Sequence, residues 1–157
     1  MATALAVLAW ALGTGNDSGC KLWRRTLCTD AEGVRSLSGV IKDHKDLEVW
    51  QEAMKLCKLT YRLTDQLPDR ERYGLCSQMC RAAVSIPSNI AEGYARGSQQ
   101  DYIRFVKMSR GSAAELETQL LLARDLFALD AGQADAVQAQ LDSVRRLIAG
   151  LLRALER

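Results

Sequence analysis

The thiols of Cys76 and Cys80 stand four residues apart, a spacing that places two side chains on one face of a helix. Such a pair could share a metal ion, or act as a nucleophile beside a histidine base. His44 is the chain's one histidine, and no further ligands have suitable spacing. We therefore interpret these cysteines as core residues and expect no catalytic site, metal, cofactor or enzymatic activity.

Carboxylates are the other candidates for chemistry. Glu115 precedes Gln119 by one helical turn, and Glu92 follows Asn89 at capping distance. Either carboxylate could be catalytic only inside a pocket, which the sequence does not indicate. We interpret both as polar contacts that tie helices together.

Basic side chains form the one biased group of charges in the chain. Between Arg81 and Arg110 the acidic residues are only Glu92 and Asp101. A solvated helix face is one interpretation, and a patch that binds nucleic acid or an acidic partner is the other. The candidate nucleic-acid-binding residues are Arg81, Arg96, Arg104, Lys107 and Arg110.

Composition limits what such a patch can do. The 157-residue chain has a formal net charge of +2, and residues 46–157 hold 15 basic and 15 acidic residues. This neutrality disfavours a general nucleic-acid binder, which normally carries a strong positive excess. Five cysteines at irregular spacing predict free thiols and a reducing cytoplasm rather than a disulfide framework.

Two regions are expected. Residues 1–45 combine the apolar run "MATALAVLAWALG" with loose segments rich in turn formers, which predicts a weakly ordered extension or an accessory helix. The run lacks a preceding basic residue and is shorter than the roughly 20 residues that span a bilayer, so a targeting signal and a membrane anchor are disfavoured. Residues 46–157 carry the helical pattern and are expected to form the folded domain.

The first predicted helix starts at Asp46 and has two apolar stripes, which implies that more than one of its sides is covered. Pro68 in "LPDRERYG" should end it, and Asp69 could cap the next helix. One stripe contains Leu47, Trp50, Met54, Cys57 and Tyr61, and the other contains Val49, Ala53, Leu56, Leu63 and Leu67.

The second predicted helix contains Pro87, whose missing N–H deprives the carbonyl of Ala83 of its usual partner. Short polar side chains could satisfy that carbonyl locally, so we predict one helix with a kink. A break at Ile86 into two helices is the alternative. The residues assigned to the kink are Pro87, Ser88 and Asn89, with Ser85 as a further local donor.

The third helix is predicted to start at the N-cap Ser98 and to continue through Leu129, with a break at Gly111 as the alternative. "DAGQAD" should then turn the chain into a fourth helix. The apolar seam of that helix is Val137, Leu141, Val144, Ile148, Leu151 and Leu155. No strand-like alternation occurs, so the predicted fold is all-α, an antiparallel up-down four-helix bundle.

Three segments resemble the four-helix-bundle proteins encoded in 23S rRNA intervening sequences: "DLEVWQEAMKLCKLTYRLTDQLP", "GLCSQMCRAAVSIPSNIAEGYARGSQQDYIRF" and "GSAAELETQLLLARDL". The resemblance implies a bundle that associates as a homopentameric ring with a central channel. It also implies a relation to the accessory variability proteins of diversity-generating retroelements, which bind RNA and DNA and partner a reverse transcriptase. The extension before His44 and the neutral bundle depart from that pattern.

Overall fold

The computed structural model describes residues 41–157, of which residues 42–157 form one compact unit. The extension predicted for residues 1–45 lies almost wholly outside the described residues. Within the described part there are four long helices and no strand, consistent with a four-helix bundle. The helices are α1 (Glu48–Thr64), α2 (Leu75–Ala95), α3 (Gln99–Leu126) and α4 (Ala131–Leu155).

Helix α1 buries one of its two apolar stripes more completely than the other. Ala53 and Leu56 of the second stripe are fully buried, and Val49 and Leu63 are nearly so. In the first stripe Cys57 is buried, but Tyr61 is 50% exposed. The second stripe is therefore the core face of α1, and the first stripe is a face that remains partly exposed to solvent.

The connection between α1 and α2 differs from the sequence prediction. Asp69 opens a short 3-10 turn, Asp69–Glu71, and does not cap α2. The carboxylate of Glu71 accepts a hydrogen bond from the backbone N–H of Leu75 at 3.1 Å instead. An acidic side chain at this place satisfies a free N–H of the first turn and complements the helix dipole.

Helix α2 passes through Pro87 without a break, which confirms one helix and excludes two helices separated at Ile86. The donor to the freed carbonyl of Ala83 is not one of the three local side chains that we expected. It is the thiol of Cys57 on α1, 3.0 Å away. Ser88 and Asn89 donate to the carbonyls of Val84 and Ser85 instead, and the kink assigned to these residues stays a prediction.

Burial extends the pH range over which Cys57 can serve as this donor. Desolvation in the core raises the pKa of the Cys57 thiol to about 11, so the sulfur keeps its proton in mildly alkaline as well as neutral solution. A thiolate could only accept hydrogen bonds, whereas the thiol can donate one to the carbonyl. The side chain thus links α1 to the part of α2 that proline leaves without a hydrogen bond.

Helix α3 is unbroken at Gly111 and starts as predicted, with the Ser98 hydroxyl accepting from the N–H of Asp101. It ends at Leu126 rather than Leu129, because Phe127 adopts an extended conformation. Asp130 then caps α4 by accepting from the N–H of Gln133 at 2.7 Å. Most of "DAGQAD" is therefore the first turn of α4, and the true connection is shorter than predicted.

Packing is tightest between α2 and α3. A Cβ atom at Gly93 would lie 2.7 Å from the Cβ of Phe105, so only glycine allows this approach. The hydroxyl of Ser109 donates to the carbonyl of Ile86, and the hydroxyls of Ser85 and Ser112 share a hydrogen bond of 2.9 Å. The helices meet in a closed cycle: α1 with α2, α2 with α3, α3 with α4, and α4 with α1.

Candidate nucleic-acid interface

The five basic residues predicted from the sequence do not form one cluster. Arg81 lies on α2 about four turns before Arg96, the C-cap residue of that helix, which is roughly 22 Å away along the axis. Arg81 instead borders an open cavity of about 620 Å³ together with Tyr61 and Glu115. It therefore belongs to a different part of the surface from the basic residues of α3.

Arg96 is exposed but engaged with its neighbours. Its guanidinium pairs with the carboxylate of Glu92 at 2.6 Å and lies 4.9 Å from the centre of the Phe105 ring. The hydrogen bond to Glu92 raises the pKa of Arg96 above its usual value. A phosphate would have to compete with this carboxylate, which makes Arg96 a weaker candidate for an anion contact than a solvated arginine.

Arg104, Lys107 and Arg110 occupy the outer surface of α3, as their spacing of three predicts. Lys107 pairs with Glu156, near the end of α4, at 2.8 Å. Within residues 41–157, neither Arg104 nor Arg110 forms an ion pair. The N-terminal half of α3 thus presents two solvated arginines and one neutralised lysine.

Helix α4 contributes two arginines that the sequence reasoning missed. Arg146 and Arg153 are exposed, form no ion pair within the described chain, and share one face because they are seven residues apart. The pair between Arg145 and Glu117 turns this part of α4 toward α3. The seam of apolar residues on α4 could have revealed these arginines, because it fixes which positions point outward.

These observations define a basic stripe that consists of Arg110, Arg146 and Arg153. The pair between Lys107 and Glu156 sets the relative height of the two helices. One turn further along α3, Arg110 therefore lies near the height of Arg153, and Arg146 follows two turns away on α4. Three guanidinium groups that are not neutralised by carboxylates can donate hydrogen bonds to phosphate oxygens.

The opposite side of the bundle, around α2, is apolar. A groove of about 300 Å³ runs between α1 and α2, where Trp50 and Met54 face Val84, Pro87 and Ala91. Half-exposed or exposed large apolar side chains continue along α1, α2 and α3, whereas α4 has none among its residues. An apolar groove with exposed apolar side chains beside it is a feature of many protein–protein contacts.

The cysteines form no metal site in the described structure. Burial raises the pKa values of both Cys57 and Cys80, and the Cys80 thiol lies 3.5 Å from the hydroxyl of Thr64. Within residues 41–157, no three Cys, His, Asp or Glu side chains come together as metal ligands. None of the helices described has an apolar stretch suited to crossing a bilayer.

The fold is that of a small helical protein, and a comparison with models of known protein families assigns it to one of them. The model of the 23S rRNA-intervening sequence proteins matches residues 45–150. The chain belongs to this family. The match to the 23S rRNA-intervening sequence proteins covers α1, α2 and α3 completely and most of α4. A search of curated proteins finds no match to the chain.

Proposed function

We propose that this 23S rRNA-intervening sequence protein is a non-enzymatic, self-associating cytoplasmic protein that binds structured RNA. The observation that carries the proposal is the basic stripe, Arg110, Arg146 and Arg153, whose side chains are exposed and without ion pairs in the described chain. In a domain with balanced charges, three neighbouring arginines without carboxylate partners form a local positive field.

We infer an up-down arrangement of the helices from the contacts at their ends. Gln99 at the start of α3 donates to the carbonyl of Leu155 at the end of α4, at 2.6 Å. Arg124 near the end of α3 pairs with Asp135 near the start of α4 at 2.6 Å. Such contacts run in opposite directions along the two helices, as expected for antiparallel neighbours joined by short links.

Self-association is supported by the apolar side around α2. Tyr61 and Val84 are 50% and 41% exposed there, beside a groove lined by Trp50 and Met54. Burying such surface against another copy is favourable by about 25 cal/mol for each Å² of apolar area removed from water. A ring of five copies, which the family resemblance implies, would repeat each basic stripe five times and thereby strengthen binding to a long polyanion.

The stripe favours contacts with phosphates over readout of bases. Arginine side chains on two adjacent helices can reach the backbone of a helical RNA, whose deep and narrow major groove excludes side chains. The family name links its members to an intervening sequence of 23S rRNA, which agrees with an RNA ligand. DNA duplexes would compete to the extent that recognition depends on phosphates alone.

A salt titration tests this proposal. The double variant Arg110→Glu/Arg146→Glu should bind a fluorescein-labelled RNA stem–loop at least tenfold more weakly, measured by fluorescence anisotropy. The slope of the logarithm of the binding constant against that of the salt concentration should fall by roughly 1.5 to 2, because two phosphate contacts are lost.

Arg62→Glu/Arg72→Glu is the matched control, because both arginines are exposed, away from the stripe and without ion pairs in residues 41–157. This control should leave the binding constant and the slope nearly unchanged. Equal losses for both double variants would show that net charge, not the stripe, determines binding. An unchanged constant for the stripe variant would contradict the proposal.

The apolar side around α2 favours a second candidate function, a scaffold for another protein. The family resemblance suggests a reverse transcriptase as that partner. The two candidates differ in the surface that matters. Binding of a reverse transcriptase that survives Arg110→Glu/Arg146→Glu but is lost in Val84→Glu would support the scaffold, whereas loss of RNA binding in the stripe variant alone would support the RNA-binding protein.

A further inference from the structure

Three leucines near the C-terminal end of α3 point away from the core. Leu121, Leu122 and Leu126 are 54%, 47% and 66% exposed. Leu120 and Ala123 of the same segment are fully buried, so the three exposed leucines lie on the solvent side of the helix. We call these three residues the leucine ridge.

The ridge differs in shape and position from the apolar groove. It projects from a single helix, whereas the groove is a depression between Trp50 and Met54 of α1 and Val84, Pro87 and Ala91 of α2. A surface that joins two copies by a two-fold axis must be complementary to itself. Two different apolar surfaces, one convex and one concave, instead suit a contact in which each copy uses one of them.

Charges beside the two surfaces are opposite. Asp125 lies within the ridge, is exposed, and makes no ion pair in the described chain. Lys58, one turn beyond Met54, and Arg81, about one turn before Val84, are likewise exposed without an ion pair in residues 41–157. An acidic ridge that approaches a groove with Lys58 beside it is favoured over ridge against ridge or groove against groove. Arg81 adds less to this attraction, because it shares its cavity with the carboxylate of Glu115.

Resting on the self-association proposed above, we propose that the leucine ridge of one copy docks in the α1–α2 groove of a second copy. The contact is head-to-tail, so each copy keeps a free groove or ridge until the ring closes. The basic stripe lies outside both surfaces and remains accessible to RNA. The occupant of the groove is therefore a second copy of this chain.

A mixing experiment tests the head-to-tail contact. Val84→Glu places a charge in the groove and leaves the ridge intact, and Leu122→Glu does the reverse. Each variant alone should be a monomer by native mass spectrometry. An equimolar mixture should form a species of two chains and none larger, because the ridge of the first variant fits the groove of the second.

Ala139→Glu, on the exposed surface of α4, is the control for added charge and should assemble like the wild type. Circular dichroism should show that all variants keep their helices, since each replaced side chain is exposed to solvent. Replacement of Asp125 by lysine should weaken assembly, and Lys58→Glu/Arg81→Glu should partly restore it through reversed pairing.

The outcomes separate this inference from the proposal beneath it. A wild-type protein that is monomeric at all concentrations overturns both. A wild-type oligomer that persists in Val84→Glu or in Leu122→Glu overturns the ridge-and-groove contact and leaves self-association intact. Two monomeric variants that stay monomeric when mixed overturn the ridge-and-groove contact, because the intact ridge of one variant should then have docked in the intact groove of the other.

Discussion

A single side chain, the thiol of Cys57, compensates for the proline inside α2 by donating a hydrogen bond to the carbonyl of Ala83. Pro87 removes the N–H that would bond this carbonyl, and the Cys57 thiol replaces it from α1 at 3.0 Å. The sequence could predict that the Ala83 carbonyl lacks its backbone donor, since this follows from the proline alone. It could not predict the donor, because Cys57 is 26 residues away from Ala83 along the chain.

A double-mutant cycle measures this contact. Cys57→Ala should reduce the free energy of unfolding by about 1–3 kcal/mol, since it leaves a buried carbonyl unpaired and a small void. In a Pro87→Ala background the backbone N–H returns, so the same substitution should cost about 1 kcal/mol less. Urea denaturation gives all four values, and an identical cost in both backgrounds would show that the thiol does not serve this carbonyl.

The same thiol predicts a dependence of stability on pH. Desolvation in the core raises the pKa of Cys57 to about 11 in the folded protein, above the 9.0 of an exposed cysteine. Between these values the unfolded chain releases a proton that the folded chain retains, so the stabilisation is complete below pH 9 and is lost as pH rises toward 11. The fall in unfolding free energy from pH 8 to 10.5 should be smaller in Cys57→Ala than in the wild type, and equal falls would contradict the assignment.

At the scale of elements, glycines at different positions of α2 and α3 have opposite roles. Gly93 lies where α2 and α3 approach each other, and an added Cβ would also lie 3.3 Å from the Cα of Tyr102. Gly111, in contrast, is an exposed position of α3 with no atom within 4 Å of an added Cβ. Close approach of α2 and α3 therefore depends on the missing side chain at Gly93 and not at Gly111, although Ser109 and Ser112 beside Gly111 also contact α2.

Alanine substitutions should therefore change stability in opposite directions. Gly111→Ala should raise the unfolding free energy by about 0.5–1 kcal/mol, because alanine is the better helix former. Gly93→Ala should lower it by about 1–3 kcal/mol, because Phe105 and the backbone of α3 must move. Thermal unfolding of both variants measures the two effects, and stabilisation by Gly93→Ala would show that α2 and α3 pack more loosely than described.

Helix content and order were predictable, and several helix ends were not. Apolar periodicity predicted four helices and the continuity of α2 and α3, and Ser98 was recognised as a cap. The prediction that Asp69 caps α2 is wrong, because Asp69 begins a 3-10 turn and the Glu71 carboxylate accepts the hydrogen bond from the first turn of α2. The predicted end of α3 at Leu129 is wrong, because the apolar periodicity continues through Phe127. The extended backbone of Phe127, which ends the helix, cannot be read from an apolar pattern.

At the scale of the whole molecule, the surface has two different sides. The side around α2 exposes Tyr61, Val84 and the groove between α1 and α2. The side where α3 meets α4 carries the basic stripe and lacks large exposed apolar residues on α4. Sequence reasoning found three basic residues of α3 but missed Arg146 and Arg153, because residues on separate helices become neighbours only when the bundle closes.

The central claim is that copies of this chain assemble through the apolar side around α2. Size-exclusion chromatography coupled to light scattering measures it directly on the wild-type protein. We predict a mass several times the 17.3 kDa of one chain, with five copies in a closed ring. A mass of one chain at every concentration tested would contradict the claim.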